Sequence, residues 1–275
     1  MKIFALADPH LSLNTPNKSH DKFGARWADH PRKIEAGWRA TVGGDDLVLV
    51  AGDISWAMKM EGAQADLDFL AGLPGTKVII RGNHDYWWST PAKVRRAIGP
   101  TMRAIQHDAL CIGRVAICGT RLWDVPGVGF GRLIDWQVAT PKVGELQEKP
   151  ARPEKPVRDE KAIAAKAAED EKIYLRELER LRRSLTALEE IAPPDRGFLR
   201  IAMLHYPPCD VAMNPTGVTK LLEEHAINHV VFGHVHNLRQ DLNPAPFGER
   251  NGVHYHLTAC DYLDFTPKLI ATIDN

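Results

Sequence analysis

The sequence predicts a layered α/β fold on three observations: short apolar runs, helix-forming segments between them, and groups able to bind metal directly after most of the runs. The runs are residues 3–7, 47–51, 78–80, 115–118, 201–204 and 230–232. They are continuous rather than alternating, the pattern of strands covered on both faces. Between them, about 33–41, 61–73, 91–98 and 218–225 carry helix patterns. Residues 253–259 and 268–273 read as two more strands, expected to form an antiparallel pair.

Residues 142–194 change character. They open with charged, proline-containing sequence and then run from 160 to 190 in Ala, Glu, Lys, Arg and Leu, a helix composition. Leu175, Leu178, Leu181, Leu185 and Leu188 recur at three- and four-residue steps and make one narrow apolar stripe; Pro193 and Pro194 stop the helix. One domain over 1–275 is expected, with 142–194 as a helical insertion within it. Docking of the stripe on the domain is the preferred reading. A lid, or a homodimer seam through the 160–190 helix, fits a stripe of the same width.

Composition narrows the function classes. Hydrophobic residues make up 44% of the 275 and charged residues 25%, the balance of a globular protein with its own core. Lys plus Arg (35) equal Asp plus Glu (35), which argues against a life on nucleic-acid backbones or anionic membranes. Cys111, Cys118, Cys209 and Cys260 form no CxxC pair and sit among apolar neighbours, so buried free thiols in a reducing compartment are expected. The opening MKIFALADPH is too short an apolar run for a secretion signal, and no stretch reaches membrane-spanning length, so the cytoplasm is the expected location.

The chemistry-bearing groups come next. Five of the six runs lead to one: Asp8-Pro9-His10, Gly52-Asp53, Gly82-Asn83-His84-Asp85, His205, and Gly233-His234-Val235-His236. In open α/β sheets ligands bind in the crevice beyond the strand carboxyl ends, so groups far apart in sequence are expected to converge there. Carboxylates, imidazoles and a neutral amide oxygen suit a binuclear divalent site, and the absence of thiolates separates it from a closed structural zinc site. His234 and His236, two residues apart in extended chain, share one side and can face different ions.

In this ordered set the sequence resembles the calcineurin-like metallophosphoesterases. Asp8, His10, Asp53, Asn83, His205, His234 and His236 fill every ligand position of that family's pattern. The resemblance implies a four-layer fold, a central β-sandwich flanked by helices, with the charged helical segment inserted. It implies one divalent ion on Asp8, His10, Asp53 and His236 and a second on Asp53, Asn83, His205 and His234, with Asp53 bridging. Manganese, iron, zinc or nickel all suit these donors. Two such ions acidify and orient a water and neutralise phosphoryl charge. The resemblance also makes His84 the catalytic histidine outside the ligand set, placed to protonate the leaving oxygen or stabilise its charge. Asp85 is a candidate to hold that imidazolium, and Arg81 and Arg121 are candidate substrate contacts through the guanidinium fork.

The implied activity is hydrolysis of a phosphomonoester or phosphodiester, nucleotides among the candidates. Ile54-Ser55-Trp56-Ala57 follows Gly52-Asp53 where the family's Ser/Thr protein phosphatases carry Asp-Arg-Gly, so a protein phosphatase is not expected. Two other readings stay open. A nuclease requires a basic groove at the site, and a non-catalytic metal-binding scaffold requires lost ligands or a missing His84. Trp56, Trp87, Trp88 and Trp123 read first as core and second as an aromatic wall able to stack a base. His20, His30, His107, His225, His229, His254 and His256 read as surface or structural histidines.

Overall fold

Eleven strands form two sheets in the computed structural model, which describes residues 1–15, 24–135, 160–239, 241–242 and 246–274. In the first sheet β1 (Lys2–Leu6), β2 (Leu47–Val50), β3 (Thr76–Ile79) and β4 (Met102–Ala104) run parallel, and β11 (Lys268–Thr272) lies antiparallel beside β1. The second sheet holds β5 (Ala109–Ile112), β6 (Val115–Thr120), β7 (Leu199–Leu204), β8 (His229–Phe232), β9 (Glu249–Arg250) and β10 (Val253–Leu257), in the order β5-β6-β7-β8-β10-β9. The helices are α1 (His30–Thr41), α2 (Met60–Gly72), α3 (Pro91–Ala97), α4 (Glu160–Ile191) and α5 (Gly217–Glu224).

The strand residues alternate between two cores, which explains the continuous apolar runs. Ile3, Ala5, Leu49 and Val78 of one sheet meet Ile117, Ile201, Met203 and Val231 of the other. Phe4, Leu6, Val48 and Val50 turn the other way, toward Ile34 and Trp38 of α1 and Leu67 and Leu70 of α2. Ala116, Cys118, Ala202, Leu204 and Val230 likewise meet α4 and α5. The result is the expected stack of helix, sheet, sheet and helix.

Two expectations need correction. The C-terminal strands do not pair: β10 lies parallel to β8, and β11 antiparallel to β1 in the other sheet. The chain crosses between sheets because Ala7 takes up the intervening segment, donating to the Thr258 carbonyl (2.7 Å) and accepting from Cys260 N–H (2.9 Å). Second, Cys118, Cys209 and Cys260 are buried free thiols, but Cys111 is exposed, because β5 is an edge strand with a half-open face. The strands β4 and β9 are too brief to read from the sequence, and β5, though apolar, is missed.

The helical segment is helical from Glu160 to Ile191, and its stripe docks on the second sheet. Leu178, Leu181, Leu185 and Leu188 are buried there, while Leu175 is exposed. Four of the five stripe leucines thus pack within the chain. Buried Ser184 and Glu177 fix the register, the first accepting from Gly119 N–H (2.8 Å) and the second from Thr120 Oγ1 (3.1 Å). The portion of the expected insertion at 142–159 lies outside the described residues, as does His20. Among the described residues no helix is long and apolar enough to cross a membrane.

Candidate metal centre

The loops that follow β1, β2, β3, β7 and β8 converge at one end of the sandwich. Asp8, His10, Asp53 and His234 all have positive φ (58°, 44°, 52° and 70°), a conformation costly for residues with a Cβ and concentrated at functional sites. Backbone bonds between the loops hold them so: Asp8 N–H to Gly52 O (3.0 Å), His10 N–H to Asp53 O (2.9 Å) and Gly233 N–H to His205 O (3.1 Å). Glycine is required twice by close approach. A Cβ at Gly82 would collide with the Asp53 carboxylate, and one at Gly233 with that of Asp8.

All seven expected ligands meet in this cluster. His10 Nε2 lies 3.1 Å from His236 Nε2 and 3.7 Å from Asp53 Oδ2. His205 Nε2 is 3.4 Å from Asp53 Oδ2 and 2.7 Å from Asn83 Oδ1, which also sits 3.0 Å from His234 Nδ1. Asp8 Oδ1 is 3.8 Å from both His205 Nδ1 and His236 Nε2. Donors bonded at about 2.0–2.2 Å to a shared cation stand apart by distances of this order. Asp8, His10 and His236, and separately Asp8, Asp53 and His205, bring their donor atoms within 4.8 Å of one another.

The donor set fits divalent cations on a second ground. Among the described residues, buried Asp8 Oδ1 has no hydrogen-bond partner, whereas its Oδ2 accepts from His234 N–H (2.9 Å). A dry carboxylate oxygen without a donor is costly unless a positive charge faces it. The protons show the same tension. Burial, with the Asp53 charge adding to it, pushes the Asp8 carboxyl up to about 7. Burial opposes the His205 and His236 imidazoliums, but neighbouring carboxylates outweigh it and raise each to about 9, with Asp53 leading at His205 and Asp261 at His236. His234 goes the other way, down to about 3, through burial and then the His205 charge.

His84 stands beside the candidate ligands. Its backbone N–H donates to Asp53 Oδ1 (2.7 Å), and its ring lies 4.4 Å from that of Trp56, which in turn stacks on His10 (5.1 Å, 20°). Its buried Nδ1 has no hydrogen-bond partner among the described residues, and burial lowers its pKa against the pull of Asp53. Trp56 is therefore part of the site wall, whereas Trp87 and Trp88 are core residues at 2% exposure.

Asp85 does not hold the His84 ring, contrary to expectation. Its Oδ1 accepts from Ile54 N–H (2.8 Å), Ser55 N–H (3.1 Å) and the Trp87 indole (2.8 Å), and its Oδ2 from Gly82 N–H (2.7 Å). It ties the Asp53 loop to the Asn83 loop. The supporting carboxylate that sequence reasoning misses is Asp261, fully buried, with Oδ1 2.9 Å from His236 Nδ1 and Oδ2 accepting from Asn237 N–H (2.7 Å). It fixes which nitrogen His236 turns toward the cluster. Trp27, packed edge-on against His10 and His236, has no sequence signal either.

Two cavities flank the centre. A cleft of about 340 Å³ is lined by His234, His236, Val125, Val128, Phe130 and Ile134, and no Lys or Arg among the described residues lines it. Arg81 and Arg121 line a different cavity, of about 240 Å³, whose described lining holds no metal-ligand candidate. Arg121 there donates to Glu177 (3.2 Å) and lies over Trp123 (4.8 Å).

A sequence model of the calcineurin-like phosphoesterase family matches residues 1–238. No curated protein sequence matches the chain. Among solved structures, a phosphopantetheinyl hydrolase from Mycobacterium tuberculosis is 13% identical, aligned over 98% of this chain and 95% of its own, with a TM-score of 0.52. The protein TT1561 of Thermus thermophilus is also 13% identical, over 97% and 96%, with a TM-score of 0.51. At such identity the likeness is one of fold.

Proposed function

The chain belongs to the calcineurin-like phosphoesterase family, hydrolases of ester bonds, and from that premise we propose that two divalent cations held by its seven convergent ligands serve hydrolysis of a small phosphodiester or phosphomonoester. One ion would sit on Asp8, His10, Asp53 and His236, the other on Asp53, Asn83, His205 and His234. When bound, such ions supply Lewis-acid stabilisation of phosphoryl charge and acidify water.

The chain's own residues do the rest. Asp261 holds His236 by Nδ1, which leaves Nε2 for the centre. Asp85 fixes the Asp53 and Asn83 loops to each other. His84 supplies a ring N–H, or a proton at low pH, to the leaving oxygen; burial favours its neutral form. The apolar cleft beside His234 and His236 takes the substrate's organic part, and its volume is at the small end of ligand sites. That cleft also weighs against the nuclease reading, which needs a basic groove.

The observation that carries this reading is the convergence of seven residues from five strand ends in one cluster, linked by close donor contacts and including a buried Asp8 oxygen with no hydrogen-bond partner among the described residues. The test is hydrolysis of bis(p-nitrophenyl) phosphate and p-nitrophenyl phosphate by metal-stripped protein reloaded with manganese. Turnover should require metal and fall by roughly a thousandfold in Asp53→Asn, the scale of losing a principal electrostatic stabiliser. Turnover that survives either change rejects the assignment.

A further inference from the structure

We propose that the cavity framed by Arg81, Arg121, Arg176 and Arg180 binds a second oxyanion of the substrate, a phosphate remote from the scissile ester. The proposal rests on the phosphoester-hydrolase reading above and names the substrate class it takes.

The cavity lies between the ends of β3 and β6, the loop after β4 and one face of α4. Four guanidinium groups line it against one carboxylate, in a chain whose overall charge is zero. Buried Glu177 binds Arg121 Nη2 (3.2 Å) and Arg180 Nη1 (2.6 Å), and its other oxygen is taken by Thr120. Glu177 thus orients two arginines and can neutralise only one charge. The remaining ionisable lining group, His107, is held toward its neutral form by burial and by Arg180. It adds no negative charge.

Among the described residues, two buried polar atoms of this lining have no hydrogen-bond partner, Arg81 Nε and His107 Nδ1. Each is a cost that would be removed if its side chain shifted to meet a bound ligand atom. A half-enclosed surplus of positive charge is likewise unfavourable until an anion enters, and guanidinium forks match phosphate oxygens in pairs. Arg176, exposed on α4, completes the rim.

Position ties the cavity to the metal centre. Arg81 precedes Asn83 by two residues, so their Cα atoms lie within about 8 Å. The Arg121 carbonyl accepts from His205 N–H (3.1 Å) and Tyr206 N–H (3.0 Å). A substrate with its ester on the ligand cluster therefore needs only a short arm to place a second phosphate among the arginines. Two of the four come from α4, which gives that helix a part in specificity beyond covering the sheet.

The test compares p-nitrophenyl alkyl phosphodiesters whose arms, of graded length, end in phosphate or in hydroxyl, with manganese-loaded protein. For the best arm length, the terminal phosphate should raise kcat/KM by about tenfold or more, mostly through KM, as expected of one charge-assisted paired contact. In Arg176→Met/Arg180→Met the phosphate-to-hydroxyl ratio should fall toward one. A ratio near one for every arm in the unaltered protein overturns the proposal, as does a ratio the double substitution leaves unchanged. If neither ester is turned over, the hydrolase reading has failed, and calorimetric titration of inorganic phosphate decides the cavity. Binding to Asp53→Asn that the two arginine changes weaken about tenfold keeps the oxyanion site, and equal or absent binding overturns it. Phosphate that binds at the arginines while the terminal phosphate brings no gain overturns the substrate assignment.

Discussion

The loops of the metal centre and helix α4 are held in opposite ways. Around the centre, four non-glycine residues have positive φ, and two carboxylates lie together out of water. In α4 the backbone is regular and four leucines fill the space over the second sheet. The first region is strained and charged for the sake of ligand geometry, and the second is where burial of apolar surface offsets that cost. Catalytic turnover and stability should therefore separate by region.

The strongest challenge to that separation is Gly82→Ala. The new Cβ would collide with both the Asp53 carboxylate and its backbone nitrogen, so the loops must part. A loss of about a hundredfold or more in metal-dependent turnover is expected, together with a lowered melting temperature, because misplacements of about 1 Å have effects of that size. Normal turnover would show that the loops are soft, and the contrast would collapse.

Leu185→Ala probes the other side. Truncating this fully buried residue should cost about 2–5 kcal/mol in urea unfolding, with kcat of the folded fraction unchanged. A fall in kcat would mean that α4 and the centre are one cooperative unit. Asp261→Asn should lower metal affinity by about 10–100-fold, read by competition with a chelator.

The smallest effect is in pH. His205 and His236 sit at about 9 in the metal-free protein, above the ordinary 6.5, so their contribution to stability is full below about 6.5 and lost as pH rises through 9. Asp8, raised to about 7, adds a loss in the same direction from about 4 to 7. Metal-stripped protein should thus melt at lower temperature as pH climbs from 6.5 to 9. Manganese should reverse the slope, since ligands must shed protons to bind. Parallel slopes with and without metal would show that these rings are not ligands.

The convergence of the seven proposed ligands is legible in the sequence because each follows an apolar run within a few residues, and the strand end determines where such a group goes. What the sequence hides is orientation. Asp85 adjoins His84 in the chain, which suggests a pair, yet its carboxylate turns to three backbone N–H groups and an indole. Asp261 follows β10 without any glycine turn to mark it, and its importance arises only because the chain after β10 bends back to the β1 end. The last two strands read as a pair because they are consecutive, whereas their places follow from which sheet edges stand open beside β1 and β8. Positive φ at Asp8, His10, Asp53 and His234 has no signature at all, since tertiary hydrogen bonds impose it.

The most direct measurement is titration of manganese into metal-stripped protein, following bound metal and hydrolysis of bis(p-nitrophenyl) phosphate together. Two ions should bind per chain, activity should appear only with both, and Asp53→Asn should lose tight binding of both. Full activity with one ion, or two tightly bound ions in Asp53→Asn, would contradict the two-ion assignment.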